Sequence, residues 1–519
     1  MFLTQSLHRA LQQTPDLPMT ICGGRVRTVR EVADRVARLA GGLRSLGVAK
    51  GDRVAILALN SDRHHETFLA TWWAGAVVNP VNIRWSPQEI AYSLRDSGSE
   101  VLLVDAAFTR LVPQLRELCP RLRTVVHCGD GPAPDTTHCY EGLIASSAPA
   151  ADLRADGDSL AALLYTGGTT GFPKGVMIGA RGLLTSAYGA QMVNRVAQAG
   201  GVTLVSAPMF HIAAVAGWLA QNLLGGTLVF LPAFEPAAVL EAVQRHRVTS
   251  MGLVPTMLQQ VVEHPDVGRY DLDSVRSVGY GASPISTAVL EQAMKAFPHS
   301  GFVQGYGMTE SAMITVLGRE EHAAGGPRLR SAGRATPHCE VRIAGPDGEE
   351  LPRGETGEVL MRGDSVMLGY WNKPEETAEA LRGGWLHTGD AARMDEDGYV
   401  YVVDRLKDVI VTGGENVYSG EVEKALATHP AVASCAVIGV PDPRWGERVH
   451  AVIVLKPGAS ATAGEIRTHA KTLIAGYKAP GTVEFTDALP LSAAGKVLKR
   501  RLRDTSSESA ESAESADRS

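Results

Sequence analysis

The sequence predicts an α/β fold: a large N-terminal domain of α/β sheets with a small β-barrel-like subdomain, then a smaller α+β C-terminal domain. Three observations predict it. Short apolar runs alternate with segments of helical spacing over about the first 300 residues, the texture turns hairpin-rich after about residue 330, and a compact mixed unit follows from Leu406 to about Arg500.

The alternation rests on strand candidates RVAILALN (53–60), EVLLVDA (100–106), TVVHCG (124–129) and LAALLYTGG (160–168), with helical spacing at 28–46 and 86–97. The series continues with TLVSAPMFH (203–211), TLVFLPAF (227–234), SMGLVPTM (250–257) and SVGYGAS (277–283). Such alternation argues for parallel sheets, whose ligands collect at the carboxyl ends of strands. Residues 339–363 alternate around PDG and RGETG turns, and DEDGYVYVVDR (395–405) reads as a further hairpin. Beyond Leu406 the sequence predicts helix 419–428, strands 433–440 and 449–455, and helix 463–474. The domains are therefore expected at 1–404 and 405–500. The tail 501–519, with its repeated ESA triplets, lacks the apolar surface to offset its ordering entropy and is expected to be disordered.

A 519-residue chain with 45% hydrophobic and 20% charged residues has the composition of a soluble globular protein. Fifty basic against 56 acidic residues, scattered rather than clustered, point away from nucleic acid. The six cysteines show no CxxC pair and no zinc spacing, as expected of idle thiols in a reducing compartment. The N-terminus lacks the pattern of a signal peptide. The charge-free stretch from Val196 is broken by Pro208, Gly225, Gly226 and Pro232, so no membrane span is expected and the location expected is cytoplasmic.

The clearest chemical signal is YTGGTTGFPKGV, which packs four glycines, three threonines and a lysine into twelve residues after a strand. Glycines let the backbone turn its N–H groups toward a polyphosphate, and hydroxyls and a lysine add donors. The spacing fails as a Walker A loop, and the residues after Gly175 read as a strand rather than a helix.

With this loop, five further ordered segments resemble the adenylate-forming superfamily of acyl-CoA synthetases, adenylation domains and beetle luciferases. They are PMFHIAA (208–214), GYGMTE (305–310), WLHTGD (385–390), DRLKDVIVTGGENVYSGEVE (404–423) and PLSAAGK (490–496). The resemblance covers essentially residues 20–500 and favours the acyl-CoA synthetase branch. It implies activation of a carboxylic acid by ATP as acyl-AMP with release of pyrophosphate, then transfer to a thiol. It also implies a mobile C-terminal domain.

Carried onto this sequence, the resemblance places ATP and AMP against Thr166, Gly167, Gly168, Thr169, Thr170, Gly171, Lys174, Gly305, Tyr306, Gly307 and Met308, with Asp390 and Arg405 at the ribose. The family usually carries Ser or Thr where this chain has Gly167, so one phosphate-facing hydroxyl is missing. Lys496 corresponds to the lysine that contacts both carboxylate and α-phosphate; outside the motif, a lysine beside a glycine is ordinarily solvated surface. Glu310 corresponds to the holder of Mg²⁺ and Thr309 to a phosphate donor; one carboxylate suffices, because magnesium keeps most of its waters. Lys407 falls at the hinge and Gly414 at the coenzyme A tunnel.

His211 reads as a gate beside the substrate carboxylate. Phe210, Ala213, Ala214, Gly217, Tyr280, Gly281 and Ala282 are the candidate acyl pocket. No acidic residue stands where amino-acid-selecting domains place one, which argues against an amino acid. The small side chains suit a medium or long fatty acyl chain, the favoured expectation, or an aryl acid such as a cinnamate or benzoate. Coenzyme A is the expected acceptor and a carrier protein the alternative. A homodimer is the expected assembly.

Overall fold

The computed structural model describes residues 1–135, 137–166, 173–413, 415–491 and 497–505. Gly167, Gly168, Thr169, Thr170, Gly171, Gly414, Lys496 and most of the tail read as disordered lie outside the described residues. The chain forms two compact units, one of residues 1–341 with 361–387 and one of residues 342–360 with the chain from 388 onward.

The first unit holds two large sheets. One has eight strands, in the order Gly369–Tyr370, Lys174–Gly179, Leu160–Thr166, Val77–Pro80, Arg53–Leu57, Val101–Val104, Thr124–His127 and His138–Cys139. Its pairings are parallel from Leu160–Thr166 to His138–Cys139 and antiparallel at the other edge. The second sheet has nine strands, with Gly201–Val205, Ser250–Leu253, Ser277–Gly281 and Gly301–Met308 forming a parallel series. All eight apolar runs of the alternating series become strands, because each is largely buried and bounded by turn residues.

One core cluster takes side chains from both sheets and from the helices Val29–Ser45, Asp62–Trp73, Ala180–Asn194 and Ile212–Leu224. Val29–Ser45 starts at a capping box in which Thr28 and Glu31 satisfy each other's backbone N–H groups, worth about 1 kcal/mol. Every residue of Asp62–Trp73 is buried, its charges included. Arg25 answers Asp62 at 2.9 Å and Arg35 answers Glu66 at 2.7 Å, so the buried carboxylates are paired.

The hairpins expected over 339–363 and 395–405 belong to a four-stranded sheet of Cys339–Ala344, Thr356–Gly363, Leu386–Met394 and Val400–Arg405. A five-stranded sheet follows, centred on Gly446–Leu455 paired antiparallel with Val432–Asp442. The helices Ser419–Ala427 and Ala463–Leu473 contribute to its core. No helix among the described residues is long and apolar enough to cross a membrane.

Candidate active site

The Gly/Thr-rich loop is carried by a hairpin. Leu160–Thr166 runs antiparallel to Lys174–Gly179, with Tyr165 opposite Gly175 and Thr166 opposite Lys174. This is the strand–loop–strand geometry expected from the sequence, unlike the strand-to-helix turn of a Walker loop. The stem is pinned by Tyr165, whose hydroxyl donates to Asp96 Oδ2 at 2.7 Å. A Cβ at Gly175 would stand 2.9 Å from the Tyr165 ring, so a side chain there would displace the residue that closes the stem. Lys174 leaves the far side of the loop with its Nζ 4.9 Å from the centre of the Tyr370 ring.

GYGMTE lies where the strand Gly301–Met308 turns back into Ala312–Leu317. The turn is tight: Ala312 has φ 55°, and a Cβ at Gly307 would lie 1.7 Å from the Ala312 carbonyl oxygen. Only a bare backbone fits at Gly307. Tyr306 and Met308 are half-buried and pack on the main core, and Thr309 is half-buried in the turn. Glu310 is buried; its carbonyl accepts from the Met367 N–H at 2.7 Å and its Oε1 from the Tyr370 hydroxyl at 2.9 Å. Burial, then the Glu310 charge, pushes the Tyr370 phenol well above its ordinary range, so it stays a donor. Among the described residues no cluster of three His, Cys, Asp or Glu side chains could hold a metal by itself. A magnesium bound mainly by phosphates and water needs only a carboxylate such as Glu310, and the residues fit that group.

The helix Ile212–Leu224 follows His211 directly and buries Val215, Trp218, Leu219 and Leu223. Its Ala213 and Gly217, one turn apart, are exposed on one face, with Ala214 half-buried beside them. A Cβ at Gly217 would meet nothing within 4 Å. The rings of Phe210 and His211 lie 4.3 Å apart. Gly281 pairs with Gly305 across parallel strands, and a Cβ at Gly281 would come within 2.1 Å of the Gly305 oxygen, so no side chain fits at Gly281. Ala282, the next residue, has φ 68°, a left-handed conformation that a non-glycine residue holds at a cost of about 1 kcal/mol. Tyr280 belongs to a different environment: it is buried in the core of the nine-stranded sheet and its hydroxyl bonds His322 Nε2 at 2.8 Å.

A cavity of about 190 Å³ opens at the carboxyl ends of strands from both sheets. Asn60, Arg84, Ser206, Phe210, Phe234 and Met257 are among its lining residues. Of these only Phe210 was singled out from the sequence. The signal for Asn60 and Ser206 was their place just beyond the ends of Arg53–Leu57 and Gly201–Val205, where an α/β sheet collects its ligands.

In the second unit, Asp390 is buried and pairs in register with Arg405 on the neighbouring strand. Arg405 Nε lies 2.7 Å from Asp390 Oδ1, and its Nη1 donates to the Thr388 carbonyl at 3.3 Å. Lys407 occupies the single turn Leu406–Asp408, and Asp408 accepts from Arg503 at 2.8 Å. Lys499 meets Glu423 at 2.8 Å, and Leu491 bridges Val497. These contacts anchor the chain on both sides of residues 492–496.

Two family descriptions match the chain: AMP-binding enzyme over residues 7–371 and AMP-binding enzyme C-terminal domain over residues 421–496. A feruloyl-CoA synthase of Amycolatopsis sp is 42% identical over 95% of this chain and 97% of its own length. The medium/long-chain-fatty-acid–CoA ligase FadD8 of Mycobacterium tuberculosis is 36% identical over 95% of this chain and 88% of its own. The crystal structure of the anthranilate CoA ligase AuaEII with anthranoyl-AMP superposes with a TM-score of 0.89 at 28% identity, covering 98% of each chain. With a Gly/Thr-rich loop carried by a hairpin, a buried carboxylate suited to magnesium and this likeness along nearly the whole chain, the protein belongs to the AMP-binding enzyme family, as an acid–thiol ligase of the acyl-CoA synthetase branch that uses ATP, Mg²⁺ and coenzyme A.

Proposed function

We propose that the acid activated is an aryl acid of the hydroxycinnamate type. The observation that carries this reading is the 42% identity to a feruloyl-CoA synthase over nearly the full length of both chains. The balance of expectation thus moves from a fatty acyl chain toward an aryl ring. A medium or long fatty acid is the second reading, favoured by the likeness to FadD8 and by the small residues Ala213 and Gly217.

In the proposed mechanism the substrate carboxylate attacks the α-phosphorus of ATP, and pyrophosphate leaves. Phosphoryl transfer of this kind needs positioning and charge neutralisation more than covalent help. Lys174, Thr166 and the backbone of 167–171 take the phosphates, and Thr309 donates to one of them. Glu310 would hold the magnesium, which would supply charge neutralisation at the phosphates. Tyr306 lies against the adenine, Asp390 accepts from the ribose hydroxyls, and Arg405 supports it. Lys496 bridges carboxylate and α-phosphate, favouring the transition state over the ground state. His211 gates the carboxylate end of the pocket formed by Phe210, Ala213, Ala214, Gly217, Gly281 and Ala282. Lys407 is the hinge between residues 1–404 and 405–500, and Gly414 lines the path of the thiol.

Pyrophosphate release and thioester formation, measured over ferulate, 4-hydroxycinnamate, benzoate, dodecanoate and an amino acid, test the reading. Hydroxycinnamates are expected to show the highest kcat/KM, with thioester formed only when coenzyme A is present. A preference for dodecanoate would overturn the aryl assignment.

A further inference from the structure

The geometry points to Tyr370 as a positioning residue that holds Glu310 and Lys174 in fixed relation at the phosphate end of the nucleotide. The inference rests on the reading that Glu310 holds magnesium. Tyr370 belongs to none of the motifs singled out in the sequence, yet it touches two of them. Its hydroxyl donates to Glu310 Oε1 at 2.9 Å, and the face of its ring lies 4.9 Å from Lys174 Nζ. An anion and a cation are thus held by different parts of one side chain: the hydroxyl gives a charge-assisted hydrogen bond, the ring a cation–π contact.

The backbone around Tyr370 is fastened to both partners. Met367 N–H donates to the Glu310 carbonyl at 2.7 Å. Leu368 N–H donates to Met177 at 2.9 Å and Trp371 N–H to Gly175 at 2.8 Å, so hydrogen bonds to the loop stem flank Tyr370 on each side. The Tyr370 N–H itself is satisfied by Thr377 Oγ1 at 2.9 Å. Gly369 makes this approach possible, because it adopts φ 137° and a Cβ there would stand 2.6 Å from the Thr377 methyl. A tyrosine used only to fill the core would need neither the staple to Glu310 nor the lysine on its ring. Groups that orient a metal-holding side chain typically change metal affinity when removed.

Y370F removes the hydroxyl and keeps the ring; Y370L removes both. Binding of Mn²⁺ with a non-hydrolysable ATP analogue, followed by electron paramagnetic resonance, reads the metal site without turnover. Y370F is expected to bind the manganese–nucleotide complex about tenfold more weakly at an unchanged thermal midpoint. Y370L is expected to weaken metal-free nucleotide as well, because Lys174 loses its support. E310Q, measured in parallel, separates the two layers of the argument. Normal binding by Y370F beside weakened binding by E310Q would overturn the role of Tyr370 alone. Normal binding by both would overturn the metal role of Glu310 and this inference with it.

Discussion

His65 sits in the wholly buried helix Asp62–Trp73 and accepts a hydrogen bond from the Trp218 indole N–H at 2.9 Å through Nδ1. Trp218 lies on the inner side of the helix Ile212–Leu224, whose outer face carries Ala213 and Gly217. Protonating Nδ1 would break the bond that braces the helix Ile212–Leu224. Burial pushes the His65 imidazole from 6.5 down to about 3, so it stays neutral in the folded protein. The sign follows from linkage: the unfolded chain takes up a proton below pH 6.5 that the folded chain refuses. Stability from this group is therefore complete above 6.5 and lost as pH falls toward the folded value. Between pH 7 and pH 5 the loss is about 1.9 kcal/mol, the free energy of protonating one unperturbed imidazole over that interval. A His65→Gln variant keeps an acceptor for the indole and cannot titrate. Urea unfolding at both pH values, followed by tryptophan fluorescence, should show the parent losing about 1.9 kcal/mol more than the variant. Equal losses in the two proteins would refute the claim that His65 is held neutral by burial.

The pocket and the half-reactions give further tests. Gly217→Phe is expected to leave the unfolding midpoint within a few degrees, because a Cβ there meets nothing within 4 Å, yet to raise KM for the acid about tenfold or more if the proposed acyl pocket lies over this helix face. Lys496→Ala should lose adenylation while still passing acyl groups from supplied acyl-AMP to coenzyme A; normal pyrophosphate release by that variant would remove the lysine from its role. Gly414→Leu should release pyrophosphate normally and form little thioester, and equal loss of both half-reactions would argue against a thiol path at that position.

Local pattern decided a large part of this molecule. The eight apolar runs became strands because a sheet buried on both faces demands continuous apolar residues, a property visible along the chain. The helices at 29–45, 87–97, 419–427 and 463–473 lie within a residue or so of their expected bounds, and capping boxes at Thr28, Ser86 and Thr462 show why their starts were legible. The Gly/Thr-rich segment was also legible as a connection between two strands, since apolar runs flank it on both sides.

Packing between distant segments was not readable in this way. DRHHETFLATWW carries Asp62, Arg63 and Glu66, yet it is buried throughout, with Asp62 and Glu66 paired to Arg25 and Arg35 from elsewhere in the chain. Tyr280, expected in the pocket region, has its hydroxyl on His322, forty-two residues away. Tyr370 reaches Glu310 across sixty residues through a two-residue strand too short to leave a periodic signal. The sequence by itself determined the family, the order of the elements and the residue types available for adenylation. Only the tertiary structure decided which side chains meet, because long-range contacts depend on how sheets and helices stack, and no periodicity along the chain records that.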